Sequence, residues 1–248
     1  MQDVYAFDVG DFGKLGLLRH LLAGPRAPRL GVLWYATALP SAAQDGKHID
    51  YLELPRAEAA RFRDCDPALY DRFRAALRRP RAVRSMAALE RLRVWPTDTR
   101  FHRVATPSGD ARTPWFQAAQ GALADCGAIF CDPDNGVANP DSENERRCSA
   151  KHALLHELSA LADAGHGLVV YHHLTREKGG HAAQIGRWMA VLKRRTGARN
   201  VAALRFCRGT SRAFFVLDGP RAPNLVNRLG ALQGSPWIER EHAELFLS

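Results

Sequence analysis

The chain has 248 residues, of which 46% are hydrophobic and 25% are charged, and its formal net charge is +9. These values are ordinary for a globular domain, and no apolar run approaches the roughly 18 residues that a membrane helix requires. Because residues 1–5 have neither the basic nor the apolar region of a signal peptide, we predict one cytoplasmic domain over residues 1–248 without a membrane partner.

The N-terminal half of the chain predicts helices and strands in alternation. Leucine and alanine recur at helical spacing in four segments: residues 12–22, 67–77, 84–92 and 114–124. Short apolar runs predict three strands: residues 29–35, an edge strand over 49–54, and 101–104.

The C-terminal half has a clearer order of elements. Apolar runs predict strands over residues 127–131, 167–171, 200–206 and 212–217. Helices are predicted over residues 151–164 and 182–195, and a turn over 208–211. Strands that alternate with helices and end in a hairpin predict an α/β fold with a doubly wound, Rossmann-like, mostly parallel sheet and an antiparallel C-terminal hairpin.

Two polar loops directly follow predicted strands, at residues 132–136 and 172–181. Ligands of open parallel sheets bind beyond the carboxyl ends of the strands, so we expect the two loops to form one site. The candidate catalytic residues are Asp132, Asp134 and Asn135. The candidate substrate-binding residues are His172, His173, Arg176, Lys178 and His181. The alternative is that both segments are solvated connections, which are polar in any protein.

A third segment, residues 8–14, places acids and glycines just before a predicted helix. Asp8, Asp11 and Lys14 are further candidates for substrate binding, because a helix N-terminus favours an anion and glycine permits close approach of the backbone. A plain helix start capped by Asp11 accounts for the same pattern.

The positive charge favours a partner rich in phosphate. Basic stretches occur at residues 72–84 and 193–199, and the pI of the sequence is about 9.7. Lysine and arginine bind phosphates with release of counterions, so nucleic acid or a nucleotide is the expected partner. A solvated surface in an arginine-rich, alanine-rich chain is the alternative.

The order of elements resembles the class I S-adenosylmethionine-dependent methyltransferases. In that family an Asp-Pro-Pro-aromatic motif follows the fourth strand, and here residues 132–135 (Asp-Pro-Asp-Asn) follow the corresponding strand. The sheet order implied by the resemblance is 3-2-1-4-5-7-6. The chain is most similar to the ribosomal-RNA adenine-N6 methyltransferases, whose N-terminal helix carries Asn-Phe-x-Asp-x-x-Lys-His; residues 11–14 and 19–20 match that helix loosely.

The resemblance implies S-adenosylmethionine as cofactor and an adenine-like amine in nucleic acid as methyl acceptor. Asp132 would orient the amine, Asp134 and Asn135 would bind the target, and the residues of the second loop would hold substrate or phosphate. In this chain Asp134 stands in place of the second proline and Asn135 in place of the aromatic residue. Residues 33–38, after the first strand, have neither the acid nor the glycines of the cofactor loop.

Two other functions remain open from the sequence. The aspartates and histidines of the three segments could bind Mg²⁺ or Mn²⁺ in a metal-dependent nuclease or phosphohydrolase. A non-catalytic descendant of the fold could bind nucleic acid or nucleotides. The chain lacks the Gly-x₄-Gly-Lys-Ser/Thr loop of NTPases and the Gly-x-Ser-x-Gly elbow of serine hydrolases.

Overall fold

The computed structural model of the chain describes residues 2–37, 48–79, 82–139 and 150–247. Within these ranges, helices and strands alternate along most of the chain. No helix among them is both long and apolar enough to cross a membrane.

Several helices begin at a side chain that caps their first turn. Asp8, Asp66 and Ser85 each accept a hydrogen bond from a backbone N–H three residues later, which satisfies one of the donors that a helix start leaves open. The α-helices in the described residues are α1 (Val9–Leu21), α2 (Arg56–Arg63), α3 (Pro67–Leu77), α4 (Met86–Glu90), α5 (Arg112–Ala122), α6 (Leu155–Asp163), α7 (Gly180–Thr196), α8 (Leu225–Gly230) and α9 (Pro236–Glu239). Short 3-10 helices lie at Asp3–Tyr5, Asp50–Leu52 and Gly109–Ala111.

One large sheet runs through the described residues, with a small strand pair beside it. The strands are β1 (Leu30–Trp34), β2 (Arg100–His102), β3 (Ala128–Asp132), β4 (Gly136–Val137), β5 (His152–Ala153), β6 (Gly167–His173), β7 (Val201–Phe206), β8 (Arg212–Leu217) and β9 (Ala243–Phe246). The order in the large sheet is β2-β1-β3-β6-β8-β7-β9. Strands β2, β1, β3 and β6 are parallel, and β8 pairs antiparallel with both β6 and β7.

The predicted fold class is confirmed: the sheet is mostly parallel at its centre, helices cover it, and the C-terminal strands are antiparallel. Strand β8 lies between β6 and β7, as the expected 5-7-6 order requires.

One predicted strand is wrong, and so is the order at the two edges of the sheet. The segment predicted as an edge strand over residues 49–54 contains the 3-10 helix Asp50–Leu52 instead. Tyr51 and Leu52 are neighbours and are both buried in the same apolar layer, whereas successive side chains of a strand point to opposite faces. The strand that completes the sheet is β9, which pairs with β7 at the far edge.

The sheet separates two apolar layers, and the side chains of β6 alternate between them. Val169 and Tyr171 belong to the layer that contains α1, whereas Leu168 and Val170 belong to the layer that contains α5 and α6. By the same alternation, His172 faces the second layer, where its ring lies 4.7 Å from that of Trp188. Adjacent residues at the end of one strand therefore face different environments.

Helix α1 lies close against the sheet because glycines line its inner face. A Cβ atom at Gly10 would be 1.4 Å from the guanidinium of Arg212, and one at Gly16 would be 2.3 Å from the ring of Trp237. Gly13 is equally confined, against the ring of Phe206. These glycines let α1 pack closely, and the packing brings the start of α1 next to the ends of the strands.

Candidate functional site

A polar cavity of about 270 Å³ opens at the carboxyl ends of β3 and β6, on the face that α1 covers. Seven of the eleven predicted site residues line it: Asp8, Asp11, Lys14, Asp132, Asp134, Asn135 and His173. The three predicted segments therefore meet at one site, as the strand-end rule requires.

The floor of the cavity is a buried ion-pair cluster. The Lys14 ammonium Nζ lies 2.7 Å from Asp11 Oδ1 and 2.8 Å from Asp132 Oδ2. All three residues are at most 4% exposed. Burial by itself would lower the pKa of Lys14, but the charges of Asp11 and Asp132 outweigh it and raise that pKa. Lys14 is consequently a permanent cation that ties α1 to the end of β3.

Both carboxylates that contact this ammonium have a raised pKa. Burial raises the pKa of Asp132, and the neighbouring Lys14 only partly opposes the rise. Burial raises the pKa of Asp11 in the same way, again opposed by Lys14. A carboxylate with a raised pKa in a cavity is a stronger hydrogen-bond acceptor and a better proton acceptor than an exposed aspartate.

The start of α1 is built to present Asp11. Asp8 caps the helix by accepting a 2.8 Å hydrogen bond from the N–H of Asp11. Asp11 Oδ2 accepts a 3.0 Å bond from the N–H of Phe7, whose φ of 68° lies in the left-handed region. For an aromatic residue this conformation is strained, and packing of the Phe7 ring 5.2 Å from Phe73 helps to stabilise it.

The loop after β3 has one hydrogen-bonded acidic side chain, Asp134, and one exposed side chain, Asn135. Asp134 Oδ2 accepts hydrogen bonds from Gln2 Nε2 at 2.8 Å and from Thr37 Oγ1 at 3.2 Å, so Asp134 joins the end of β1 to the start of the chain. Asn135 is exposed at the cavity, and its N–H donates to the carbonyl of Lys151 at 2.9 Å.

His172 does not line the cavity, although the sequence placed it among the substrate-binding candidates. Its Nδ1 accepts a 3.1 Å hydrogen bond from the N–H of Val137, and burial lowers the pKa of His172 to about 3. Gly136, with φ 91°, has no room for a side chain, because a Cβ there would be 2.5 Å from His172 Nδ1. His172 thus holds the loop of Asp132 in place from the opposite face of the sheet.

The remaining loop residues lie outside the cavity lining. Arg176 and Lys178 are exposed, and His181 is half-buried with Nδ1 3.2 Å from Ser211 Oγ. The basic stretch over residues 193–199 comes just before β7. Val201, at the start of β7, and Leu168, near the start of β6, both pair with Leu217. The basic stretch therefore lies beyond the amino ends of these strands, at the end of the sheet away from the cavity.

Sequence reasoning missed several cavity residues, chiefly Arg212. This arginine is 7% exposed and lies directly across the antiparallel ladder from His173. Its signal in the sequence was a charged residue at the head of the otherwise apolar run 213–217. Other lining residues missed are Gln2, Tyr5, His48, Lys151, Tyr171 and Thr210.

The residues after β1 do not fit S-adenosylmethionine as the glycine loop of the methyltransferases does. Tyr35 is buried on the opposite face of the sheet, where its hydroxyl donates to Glu157 at 3.1 Å. Ala36 forms a β-bridge with Ala105, and the Thr37 hydroxyl donates to Asp134. Residues 38–47 lie outside the described ranges. Among the described residues, no group of three or more His, Cys, Asp or Glu side chains is arranged to hold a metal ion.

Comparison of the chain with protein-family models and with curated proteins finds no match. Its function is therefore inferred from the chemistry of the cavity.

Proposed function

We propose that the protein is an enzyme that binds an amine-bearing nucleobase of a nucleotide or nucleic acid, with Asp132 as the acceptor for the exocyclic amine. The observation that carries the proposal is the position of Asp132. It ends a central parallel strand, is 3% exposed, lines the cavity and is held by the Lys14 ammonium.

The burial of the cluster favours a ligand that donates N–H groups. Asp11 and Asp132 both contact the Lys14 ammonium, and both line the cavity. Burial resists ionisation of the two carboxyl groups and raises both pKa values. An exocyclic amine that donates to Asp132 would stabilise the ionised carboxylate, and Asp132 would in return raise the electron density on the amine nitrogen.

Aromatic side chains near the Asp132 loop offer surfaces for the base. Asn135 occupies the place of the aromatic residue in the methyltransferase motif, but Tyr5 and Tyr171 both line the cavity. Stacking of a base on an aromatic ring contributes about 1–3 kcal/mol to binding. The amide of Asn135 adds a donor and an acceptor for the edge of the base.

Methyl transfer to the bound amine is the reaction that the resemblance to class I methyltransferases implies. The β3-β6-β8-β7 order of the sheet and the place of residues 132–135 support it. Because the described residues after β1 do not form the family's cofactor loop, we derive no transfer step. The part that belongs to this chain is recognition and activation of the amine.

Thermal unfolding of the full chain with adenosine, and with the purine riboside that lacks the amine, tests the role of Asp132. We expect adenosine to raise the Tm more than the riboside does, because only adenosine has the amine that donates to Asp132. Binding to the native state at a hundredfold excess over Kd adds about 2.7 kcal/mol of stability. Asp132→Asn should abolish the difference, and the control Asp163→Asn, at an exposed position of α6, should preserve it. Equal shifts with the two ligands on the unaltered protein would disprove the proposal.

Two parallel samples separate the alternatives. A Tm increase with S-adenosylmethionine, together with label transfer from it to RNA or DNA, would establish a methyltransferase. An increase with Mn²⁺ and with no nucleoside would favour the metal-dependent nuclease or phosphohydrolase. A response to adenosine without catalysis in any sample would identify a binding protein on this fold.

A further inference from the structure

The cavity contains a second charged centre, Arg212, that the proposed role of Asp132 does not use. Arg212 is 7% exposed and lines the cavity at the head of β8. Its Nε donates to the carbonyl of Thr210 at 3.2 Å, and its Nη2 donates to Thr210 Oγ1 at 2.7 Å. The side chain is therefore held in one orientation by the turn that precedes the strand.

Arg212 differs from the other two cations that are equally buried. Lys14 has carboxylate partners at 2.7 and 2.8 Å, and Arg112 has Glu157 at 2.7 Å. In the part of the chain that the structure describes, no carboxylate lies within ion-pair distance of the Arg212 guanidinium. Burial of a charge without a partner is costly, and such a charge at a cavity wall indicates that the ligand supplies the counter-charge.

The surroundings of Arg212 suit an oxyanion. His173 lies across the ladder from it, and both residues line the cavity with Thr210. The absence of a Cβ at Gly10 lets the guanidinium lie against the first turn of α1, where a helix also favours negative charge. Arginine with a hydroxyl and an imidazole is a common donor set for phosphate, because the guanidinium keeps N–H donors beyond the two that bind Thr210.

We infer that Arg212, with Thr210 and His173, forms a phosphate subsite, so that the ligand of the cavity is a phosphorylated nucleotide whose base reaches Asp132. This inference rests on the proposed function, since it assigns the two ends of the same ligand. The cavity of about 270 Å³ lies just below the usual range of small-molecule sites, about 300–1,000 Å³, so it limits the ligand to about one nucleotide unit. The phosphate belongs either to a free mononucleotide or to one residue of a nucleic-acid strand.

Calorimetric titration of the full chain with AMP, adenosine, ribose 5-phosphate and a short adenine oligonucleotide tests the subsite. We expect AMP to bind about tenfold or more tightly than adenosine, as one charge-assisted hydrogen bond predicts. Arg212→Met should remove this preference, since the substitution keeps part of the apolar stem of the side chain without its N–H donors. Arg205→Gln, on neighbouring strand β7 and outside the cavity lining, is the control.

A second variant keeps the inference testable if Arg212→Met does not fold. Thr210→Val removes the hydroxyl that fixes Nη2 and should lower the preference for AMP in part. An oligonucleotide that binds more tightly than AMP, with the same dependence on Arg212, assigns the phosphate to a strand; the reverse order assigns it to a free nucleotide.

The two proposals fail in different ways. If AMP and adenosine bind equally, or if Arg212→Met keeps the preference, the phosphate subsite is refuted, and adenosine binding that depends on Asp132 still supports the proposed function. If ribose 5-phosphate binds through Arg212 while AMP gains nothing from its base, the subsite stands and the proposed function is refuted.

Discussion

Two buried ion-pair clusters lie on opposite faces of the sheet, and they differ in their access to the cavity: Lys14 and its carboxylate partners line it, whereas Arg112 and Glu157 do not. On the face away from the cavity, Glu157 is fully buried and accepts hydrogen bonds from Arg112, from the Tyr35 hydroxyl and from the N–H of Leu154. The Arg112 guanidinium also donates to a carbonyl, at His152, 2.7 Å away. Its charge and its hydrogen-bonding groups are matched within the protein.

The Lys14 cluster differs in its surroundings. Asp11 and Asp132 both contact the ammonium, both carboxyl pKa values are raised, and the group lines a cavity. An enclosed ion pair holds the fold together, whereas a carboxylate with a raised pKa at a cavity can accept a hydrogen bond from a ligand. Burial alone therefore does not distinguish a functional cluster from a structural one, and access to the cavity does.

The largest effect is expected from opening the closed cluster. Glu157→Ala leaves Arg112 as a buried unpaired charge, which costs about 3–5 kcal/mol of stability. Urea unfolding monitored by fluorescence measures this loss. The double variant Arg112→Met with Glu157→Leu should recover most of it, because apolar side chains of similar size replace a buried pair at little cost. A single variant as stable as the unaltered protein would show that the pair is not needed for the fold.

His172 links the two faces and should make stability sensitive to acid. Its pKa is lowered to about 3 by burial, against 6.5 for an ordinary histidine, so it is neutral in the folded protein at pH 7. As the pH falls below 6.5, the unfolded chain binds a proton at His172, whereas the folded protein does not bind it until about pH 3. Stability therefore declines between about pH 6.5 and pH 3.

His172→Asn removes this proton and keeps an acceptor for the N–H of Val137. Equilibrium unfolding from pH 7 to pH 4 should show the unaltered protein losing stability relative to the variant, by about 1.4 kcal/mol for each pH unit inside the window. Parallel curves for the two proteins would mean that His172 is not the group that resists protonation.

Gly10→Ala tests whether the preference of the cavity for AMP over adenosine depends on the position of Arg212. The new Cβ would overlap the Arg212 guanidinium, so it displaces the arginine from its two hydrogen bonds with Thr210, at a cost of about 1–3 kcal/mol. We expect AMP to lose its advantage over adenosine. Gly121→Ala in α5 is the matched control: its Cβ meets nothing within 4 Å, and alanine should stabilise the helix by up to about 1 kcal/mol. Titration with AMP distinguishes the two variants.

Part of this arrangement could be predicted from the sequence, because it follows from chain direction alone. Apolar strands that end in Asp132 and His173 bring their loops to one edge of a parallel sheet, and the acids before α1 belong at a helix start. The position of the cavity was predictable for these reasons, whereas the order of the central strands was expected from the resemblance to the class I methyltransferases.

The faces of the strands could not be predicted in the same way. Six of the seven residues of β6 are buried, so its sequence has no alternation from which to infer that His173 faces the cavity and His172 the opposite layer. The ion pair of Lys14 with Asp132 joins residues 118 apart in the chain, and it depends on how closely α1 approaches the sheet. Arg212 reaches the site only because β8 runs antiparallel beside β6.

The smallest change in stability, with the largest change in binding, is expected for Asp132→Asn. Burial already raises the pKa of Asp132, so a neutral side chain of the same shape is tolerated there, and Lys14 keeps Asp11 as its partner. We expect the free energy of unfolding to change by less than about 1 kcal/mol, in contrast to the loss at Glu157. Adenosine binding should disappear, because the amide turns a donor toward either Lys14 or the ligand amine.

Lys14→Met provides the comparison within the cluster: it leaves two buried carboxylates without their ammonium and should destabilise the fold by several kcal/mol. If Asp132→Asn destabilises as much as Lys14→Met does, the cluster is closed like its counterpart around Glu157, and the difference between the two faces does not mark a functional site.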